Sequence, residues 1–240
     1  MKKFLTIIAS ISLLFSCNPE NHPDDTTFPC EAVDLGLSVK WANTNLGAAA
    51  SEEYGDFYAW GEVEPYYSMS KGSRLWKKGK ADGYSWTSYK WCMGSLETMT
   101  KYCTASDCGY NGFTDNKTVL DPEDDVAHVK LGGKWRMPTD DEWKELMDNC
   151  TWIWTTQNGI KGIRIIGSNG NKIFLPLAGF LYETGHDDAG SYGYYWSSSL
   201  DTRFNGRTEY YAWSVFTYDN HVQRGSSFRY CGFPVRPVTE

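Results

Sequence analysis

Residues 134–150 read KWRMPTDDEWKELMDNC, and this stretch carries the clearest structural signal in the chain. Thr139 stands at a helix N-cap position and Glu142 follows three residues later. This spacing predicts a capping box, in which the two side chains satisfy free backbone amides of the first helical turn. Apolar residues then recur at the spacing of one helical face, which predicts that this face is buried. They are Trp143, Leu146, Met147 and Cys150.

Strand patterns surround this helix. Residues 33–41 place apolar side chains at every second position, which is typical of a half-buried strand. Residues 162–167 and 172–175 flank Ser-Asn-Gly-Asn, a sequence that predicts a β-hairpin. Together these patterns predict an α+β fold with one or two short helices against an irregular antiparallel sheet. Further strands are predicted at 57–60, 192–199, 210–217 and 233–238.

Aromatic residues make up 16% of the chain, including 11 Trp and 16 Tyr, and 23 residues are glycine. This composition favours short strands connected by long loops that contain many glycines. Large aromatic side chains are expected to pack these loops in place. Residues 61–118 show no period and are predicted to be long loops with at most one short helix. Five aromatic residues of this region are expected to be exposed: Tyr66, Tyr67, Trp76, Trp86 and Tyr110.

Charge excludes one class of partner. The formal net charge is −7, and an acidic chain is poorly suited to nucleic acids. Residues 121–125, Asp-Pro-Glu-Asp-Asp, lead into Val-Ala-His-Val. This pattern resembles the first turn of a short helix, where the positive end of the helix dipole stabilises carboxylates. A calcium loop is the alternative, but the spacing does not match an EF-hand. No metal is therefore expected there.

The first 16 residues read as a secretory signal, with Lys2 and Lys3 before a short apolar stretch. The stretch is shorter than the roughly 20 apolar residues that a membrane-spanning helix needs. Leu14-Phe15-Ser16-Cys17 resembles a bacterial lipobox. Cleavage before Cys17 would leave this cysteine as the site of lipidation, with diacylglycerol and a third acyl chain such as palmitate.

Residues 17–30 follow as a polar, proline-bearing segment with three acidic side chains, which predicts a flexible tether. Acidic residues behind the lipidated cysteine resemble surface-export signals of Gram-negative lipoproteins. The expected location is the outer membrane, with the protein bound through its lipid anchor and exposed at the cell surface. Residues 31–240 are expected to form a single domain.

Cysteines other than Cys17 number six. In an exported chain, six cysteines suggest disulfides, and 15 pairings are conceivable. Two pairings are candidates: Cys103 with Cys108, closing a small loop, and Cys150 with Cys231, joining a helix end to the last strand. Metal binding by these residues is not expected because no C-x₂-C pair occurs.

Known catalytic patterns are not assembled in the sequence. The four histidines are scattered, and no serine lies in a G-x-S-x-G turn. Residues 64–66 and 218–220 do not match the sugar-binding motifs of calcium-dependent lectins. His186-Asp187-Asp188 could coordinate a metal, but a solvated turn is the commoner explanation. The chain is therefore predicted to be non-catalytic, without metal or cofactor.

Several segments together resemble the Fibrobacter succinogenes major paralogous domain family, whose members are surface or secreted lipoproteins. The segments are VDLGLSVKWANTNLGA (33–48), EEYGDFYAWGE (52–62), GGKWRMPTDDEW (132–143), LPLAGF (175–180), YYWSSSL (194–200) and FPVRPV (233–238). The resemblance extends over residues 31–240.

This resemblance implies a C-type-lectin-like fold, akin to that of the formylglycine-generating enzymes. Those enzymes hold copper with two cysteines near the C-terminus. Here that region offers Cys231 alone. The resemblance therefore implies the fold and not the oxidase activity.

In lectin-like folds, ligands usually contact the long loops before the last strands, which here correspond to residues 201–207 and 218–227. The candidate ligand-binding residues are Trp76, Arg203, Arg207, Asp219 and Asn220. The leading hypothesis is an extracellular module that binds a glycan or a protein. A structural component of an adhesin or envelope assembly is the alternative, and an enzyme of the formylglycine-generating type is a weaker one.

Overall fold

The structure is a computed structural model that describes residues 30–203 and 209–240. Cys17, the predicted signal segment, the predicted tether up to residue 29 and Arg207 lie outside the described residues.

The described chain contains thirteen strands, two α-helices and two short 3₁₀ turns. The strands are β1 (Ala32–Val33), β2 (Lys40–Ala42), β3 (Tyr67–Ser70), β4 (Ser73–Trp76), β5 (Thr151–Gln157), β6 (Ile160–Ile166), β7 (Lys172–Pro176), β8 (Phe180–Tyr182), β9 (Gly185–Asp187), β10 (Gly193–Leu200), β11 (Tyr211–Tyr218), β12 (His221–Phe228) and β13 (Val238–Thr239). The helices are α1 (Val126–Leu131) and α2 (Asp140–Asn149), and the 3₁₀ turns are Tyr110–Gly112 and Pro122–Asp124.

Five small antiparallel sheets make up the β structure. Three of them are three-stranded, with the orders β1-β2-β13, β5-β6-β7 and β10-β11-β12, and two are the hairpins β3-β4 and β8-β9. Few residues are helical. The prediction of an α+β fold with irregular antiparallel sheets and short helices is confirmed at this level.

Helix α2 begins as its sequence predicts. The Thr139 hydroxyl accepts from the Glu142 backbone amide at 3.2 Å, and the Glu142 carboxylate accepts from the Thr139 amide at 2.8 Å. Trp143 and Leu146 are fully buried, while Met147 and Cys150 are half-buried. The helix packs across β10, β11 and β12. It therefore fixes the orientation of that sheet.

Two apolar clusters form the core. One contains Trp41 and Trp143 with the inner face of β5-β6-β7, and the other is rich in aromatic residues around Trp60 and Trp196. Trp196 joins the two clusters, because its carbonyl accepts from Trp143 Nε1 at 3.1 Å while its ring stacks on Phe233 at 4.2 Å.

Two arginines are completely buried, and neither has an ion pair among the described residues. Arg236 donates to Asn45 Oδ1 at 2.9 Å and to the carbonyls of Ala42 and Phe174 at 2.9 and 2.8 Å. Burial lowers its pKa to about 10. Arg229 likewise donates to the carbonyls of Lys101, Tyr102 and Glu209. Since buried charges need partners, these arginines cross-link distant segments through backbone oxygens.

Acidic residues before α1 differ from the predicted arrangement. Only Asp125 serves the helix, as an N-cap that accepts from the amides of Ala127 and His128. Asp121 and Asp124 instead contact Lys101 Nζ at 2.7 and 2.6 Å. The capping interpretation is confirmed for one carboxylate, and the others neutralise a lysine.

Predicted strands were partly wrong. The hairpin around residues 168–171 is confirmed as β6-β7. Residues 33–41 form only the end of β1 and the start of β2, because Gly36 takes a φ of +77° and turns the chain between them. Residues 57–60 contribute one isolated bridge, Tyr58 to Phe233. Residues 233–238 are in a strand only at Val238.

The prediction of exposed aromatic loops was also partly wrong. Tyr66 and Tyr67 are buried, because Tyr66 stacks on Tyr84 at 4.2 Å and its hydroxyl donates to Glu62 at 2.5 Å. Trp76 and Trp86 are half-buried against the aromatic cluster. Of the five, only Tyr110 is exposed.

Candidate functional site

The outer face of the β10-β11-β12 sheet carries a group of half-buried aromatic rings. Tyr194 of β10 lies directly opposite Phe216 of β11 in the register, and Tyr192 and Tyr218 stand two residues further along the same face. Since side chains alternate across a strand, all four point away from the face that packs on α2. We call Tyr192, Tyr194, Phe216 and Tyr218 the ring layer.

The four rings are nearly parallel. Along the strands, the ring centroids are 6.0 Å apart for Tyr192–Tyr194 and 6.3 Å apart for Phe216–Tyr218, each with an interplanar angle of 16°. Across the strands, Tyr192–Tyr218 are 5.3 Å apart at 15° and Tyr194–Phe216 are 6.2 Å apart at 23°. The rings therefore form a two-by-two array with a common orientation.

Gly225 of β12 sets that orientation. A Cβ atom at this position would lie 2.3 Å from Phe216 Cε1 and 3.1 Å from Cζ, so the edge of the Phe216 ring covers the glycine. An aromatic side chain that covers a cross-strand glycine is a known way to fill the space of a missing side chain. The planes of neighbouring rings in the layer differ by at most 23°.

The ring layer extends from the core toward the surface. Tyr194 contacts Phe180 at 4.8 Å and Phe233 at 5.1 Å between ring centroids, which anchors the inner edge. All four rings remain half-buried rather than buried. A half-buried aromatic surface is thus held by strand pairing and by core contacts.

Polar side chains border the layer. Tyr194 Oη donates to Asp188 Oδ2 at 3.5 Å, and Gln223 Nε2 donates to Tyr218 Oη at 3.4 Å. The ring of His221 lies 5.7 Å from that of Tyr218. Burial raises the pKa of Tyr194, and the neighbouring Asp188 carboxylate raises it further. The phenol therefore stays neutral as a hydrogen-bond donor, and Asp188, His221 and Gln223 are exposed.

The predicted residues Asp219 and Asn220 adjoin this surface. They form the two-residue turn between β11 and β12, with φ values of +42° and +64°, as hairpin turns of this length require. Residues 221–227, predicted as a loop, belong to β12 instead. The loop was wrongly predicted because Gly225 and its polar neighbours conceal the strand pattern.

The other predicted ligand-binding residues lie elsewhere. Trp76 ends β4 and contacts Tyr67 and Tyr84 edge-on. Arg203 lies over the ring of Trp213, 3.9 Å from its centroid, and Trp213 is on the opposite face of the sheet from Phe216. Arg207 lies outside the described residues. The structure therefore does not bring these residues together with Asp219 and Asn220.

Charges around Trp213 are already paired. Arg203 contacts the buried Asp201 at 2.8 Å, and Arg224, whose guanidinium lies 5.4 Å from the Trp213 centroid, contacts Asp140 at 2.5 Å. Burial favours a raised pKa for Asp201, but the hydrogen bonds from Arg203 lower it overall. This group stabilises the start of α2 against the sheet.

One group of acids within residues 30–203 and 209–240 has the spacing of metal ligands: Asp121, Glu123 and Asp124, with ligand atoms within 4.8 Å. Lys101 Nζ sits among them, 2.7, 3.6 and 2.6 Å from their carboxylates. Burial alone would lower the pKa of Lys101, but the hydrogen bonds that its ammonium donates to Asp121 and Asp124 raise the pKa overall. The ammonium group thus occupies the position a cation would take.

Neither predicted disulfide is present among the described residues. Cys103 Sγ donates to the Ala105 carbonyl and Cys108 Sγ donates to Tyr210 Oη, both at 3.2 Å. Cys150 packs beside the cluster of Trp143, whereas Cys231 belongs to the aromatic cluster. Burial raises the pKa of Cys231 to about 12. The pairings were wrong because both were inferred from chain positions, which do not fix the direction of a side chain.

Comparisons with known protein families, with curated proteins and with solved structures find no match. The helices of the described chain are each too short or too polar to cross a membrane.

Proposed function

We propose that the protein is a lipid-anchored, surface-exposed binding module of the outer membrane, and that its ring layer binds a glycan. The observation that carries this proposal is the nearly parallel, half-buried array of Tyr192, Tyr194, Phe216 and Tyr218. The lipobox at Cys17 and the acidic tether support the location.

Sugar rings match this surface in chemistry and shape. The C–H groups on one face of a pyranose are weakly positive and pack against the negative face of an aromatic ring. Its hydroxyl groups need donors and acceptors at the edge, which Asp188, Gln223 and His221 supply. Tyrosine also gives large contact area at low cost in conformational entropy. A preformed ring layer loses little further freedom when it binds.

The segments that resemble the Fibrobacter succinogenes major paralogous domain family are the support for a C-type-lectin-like fold, and the short antiparallel sheets and helix α2 are compatible with it. We therefore propose membership of that family, with residues 31–240 as one domain. Since a fold does not determine a function, the binding role rests on the ring layer and not on the family. The module is proposed to be non-catalytic.

An assembly role is the alternative, and one observation favours it. The hairpin β3-β4 is a separate two-stranded sheet, and its Met69 and Leu75 are 58% and 54% exposed. Unpaired strand edges with apolar side chains can pair with another chain. In this reading the hairpin contacts a neighbouring subunit of an adhesin.

A direct test is an array of glycans and surface proteins probed with the full chain purified in a neutral detergent. The proposal predicts binding to at least one glycan class, and loss of that signal in the double variant Tyr192→Ala/Tyr218→Ala. Tyr110→Ala is the matched control, because Tyr110 is an exposed tyrosine outside the ring layer. Binding to proteins alone, abolished by Met69→Glu, would support the assembly role instead.

A further inference from the structure

A second surface of the protein carries unpaired positive charge. The outer face of the β5-β6-β7 sheet and the segment after β2 enclose a cavity of about 360 Å³. Arg164 and Lys172 line it, together with Asn43, Ser51, Gln157 and Phe174. These residues are separate from the ring layer.

The sheet register explains why these side chains share the cavity. Arg164 of β6 lies directly opposite Phe174 of β7, and Lys172 lies two residues further along β7. All three therefore point to the same face of the sheet, and Arg164 and Lys172 are diagonal neighbours that long side chains can bridge. The other face carries Ile163, Ile165 and Ile173, which belong to the core.

Neither cation is neutralised by the protein. Within residues 30–203 and 209–240, Arg164 and Lys172 have no carboxylate within 4.0 Å and no side-chain hydrogen bond. Two like charges on neighbouring strands repel each other, which is unfavourable in the absence of an anion. In a chain with a net charge of −7, this local excess of positive charge attracts anions into the cavity.

Neutral groups around the cavity add donors. Asn43 Oδ1 accepts from the Glu31 amide at 2.9 Å, so its amide nitrogen is left to donate. Gln157 Nε2 donates to Ser51 Oγ at 2.6 Å and to Glu52 Oε2 at 3.1 Å. Glu52 accepts from Gln157 and Asn158, and hydrogen bonds from Asn158 and Gln157 lower its pKa to about 2.

The floor of the cavity is apolar. Phe174 is buried, and its ring lies over Gly162, where a Cβ atom would be 2.2 Å from Cζ. A ligand therefore meets two cations and an amide at the rim and an aromatic ring below. Small-molecule sites typically occupy about 300–1,000 Å³, so the cavity has room for one sugar unit.

We propose that this cavity binds an acidic sugar residue, with Arg164 and Lys172 on its carboxylate. Arg164 offers a planar pair of N–H groups that match a carboxylate, and Lys172 adds a point charge. The site is independent of the ring layer and would extend recognition from neutral to acidic glycans.

The test is isothermal titration of the full chain in neutral detergent with D-glucuronate, D-glucose and inorganic sulfate. The proposal predicts that glucuronate binds at least tenfold more tightly than glucose or sulfate, and that its affinity falls with added salt. Arg164→Gln and Lys172→Gln should each weaken it by about tenfold, within the range for a charge-assisted hydrogen bond. Lys161→Gln, which removes an exposed lysine of the same strand outside the cavity, should have no effect.

Unchanged glucuronate affinity in the double variant Arg164→Gln/Lys172→Gln, with an unaltered melting temperature, would overturn the proposal. Equal affinity for sulfate and glucuronate would overturn the assignment to a sugar acid. The ring-layer variant Tyr192→Ala/Tyr218→Ala should bind glucuronate normally, so failure of the glycan proposal and failure of this one give different results.

Discussion

The ring of Phe216 covers Gly225 on the neighbouring strand, where an added Cβ atom would lie 2.3 Å from Phe216 Cε1. This contact restricts the plane of Phe216, and the planes of neighbouring rings in the ring layer differ by at most 23°. The candidate glycan surface therefore depends on a residue with no side chain of its own.

Gly225→Ala should tilt the ring layer with little loss of stability. The added methyl group meets only the far edge of the Phe216 ring, which can rotate outward, so we expect a change of less than about 1.5 kcal/mol in unfolding free energy. Glycan affinity should fall at least tenfold. Chemical denaturation and array binding measure the two effects. Gly185→Ala, at a glycine without a left-handed φ and with no atom closer than 3.3 Å to an added Cβ, reports the cost of an alanine away from the layer.

Arg236→Leu should destabilise the fold strongly. The substitution leaves Asn45 Oδ1 and the carbonyls of Ala42 and Phe174 buried without their donor, and each such group costs about 1–3 kcal/mol. We expect a loss of about 3–5 kcal/mol in urea unfolding. Lys78→Leu, which removes an exposed cation, should change stability by less than about 0.5 kcal/mol. Similar values for the two variants would refute the cross-linking role.

Stability should fall with acid through His186. Its Nδ1 contacts Arg74 Nη2 at 2.8 Å and its Nε2 contacts the Ala178 carbonyl at 2.7 Å, which fits a neutral ring that accepts from Arg74 and donates to Ala178. Burial lowers the pKa of His186, Arg74 lowers it further, and the Ala178 carbonyl and Asp187 oppose this.

The direction of this pH dependence follows from the lowered pKa of His186. Above about pH 6.5 the histidine is neutral in both the folded and the unfolded state and adds no pH dependence. Below this pH the unfolded chain takes up the proton first, so unfolding becomes more favourable as the pH falls toward the folded-state pKa. Melting temperatures from pH 7.5 to 5.0 should drop less in His186→Gln than in the unaltered protein. Parallel curves would exclude His186 as the source.

Local sequence patterns predicted only part of this fold. Thr139 and Glu142 predicted α2 correctly, and the Asn-Gly turn at 169–170 predicted the β6-β7 hairpin, because both signals act within a few residues. The long segment from 66 to 118 could not be predicted, since its order comes from distant contacts such as Tyr66 with Tyr84 and Arg229 with Tyr102.

The ring layer was missed for a related reason. Tyr192, Tyr194, Phe216 and Tyr218 alternate along two predicted strands, which was a usable signal. Tyr211, Trp213 and Val215 alternate in the same way on the other face of β11. Without the register that pairs Tyr194 with Phe216, neither set could be assigned to the surface. Asp219 and Asn220, predicted in a loop over residues 218–227, form only the two-residue turn between β11 and β12, because turn residues act locally.

The most direct test of the proposed function is the affinity of the ring layer for a glycan selected on the array, measured by titration calorimetry on the unaltered chain and on Tyr218→Ala, Tyr218→Phe and Tyr110→Ala. We predict at least a tenfold loss for Tyr218→Ala, a smaller loss for Tyr218→Phe, which keeps the ring, and no change for Tyr110→Ala. Equal affinity of the Tyr218→Ala variant and the unaltered chain would contradict the proposal that the ring layer is the binding surface.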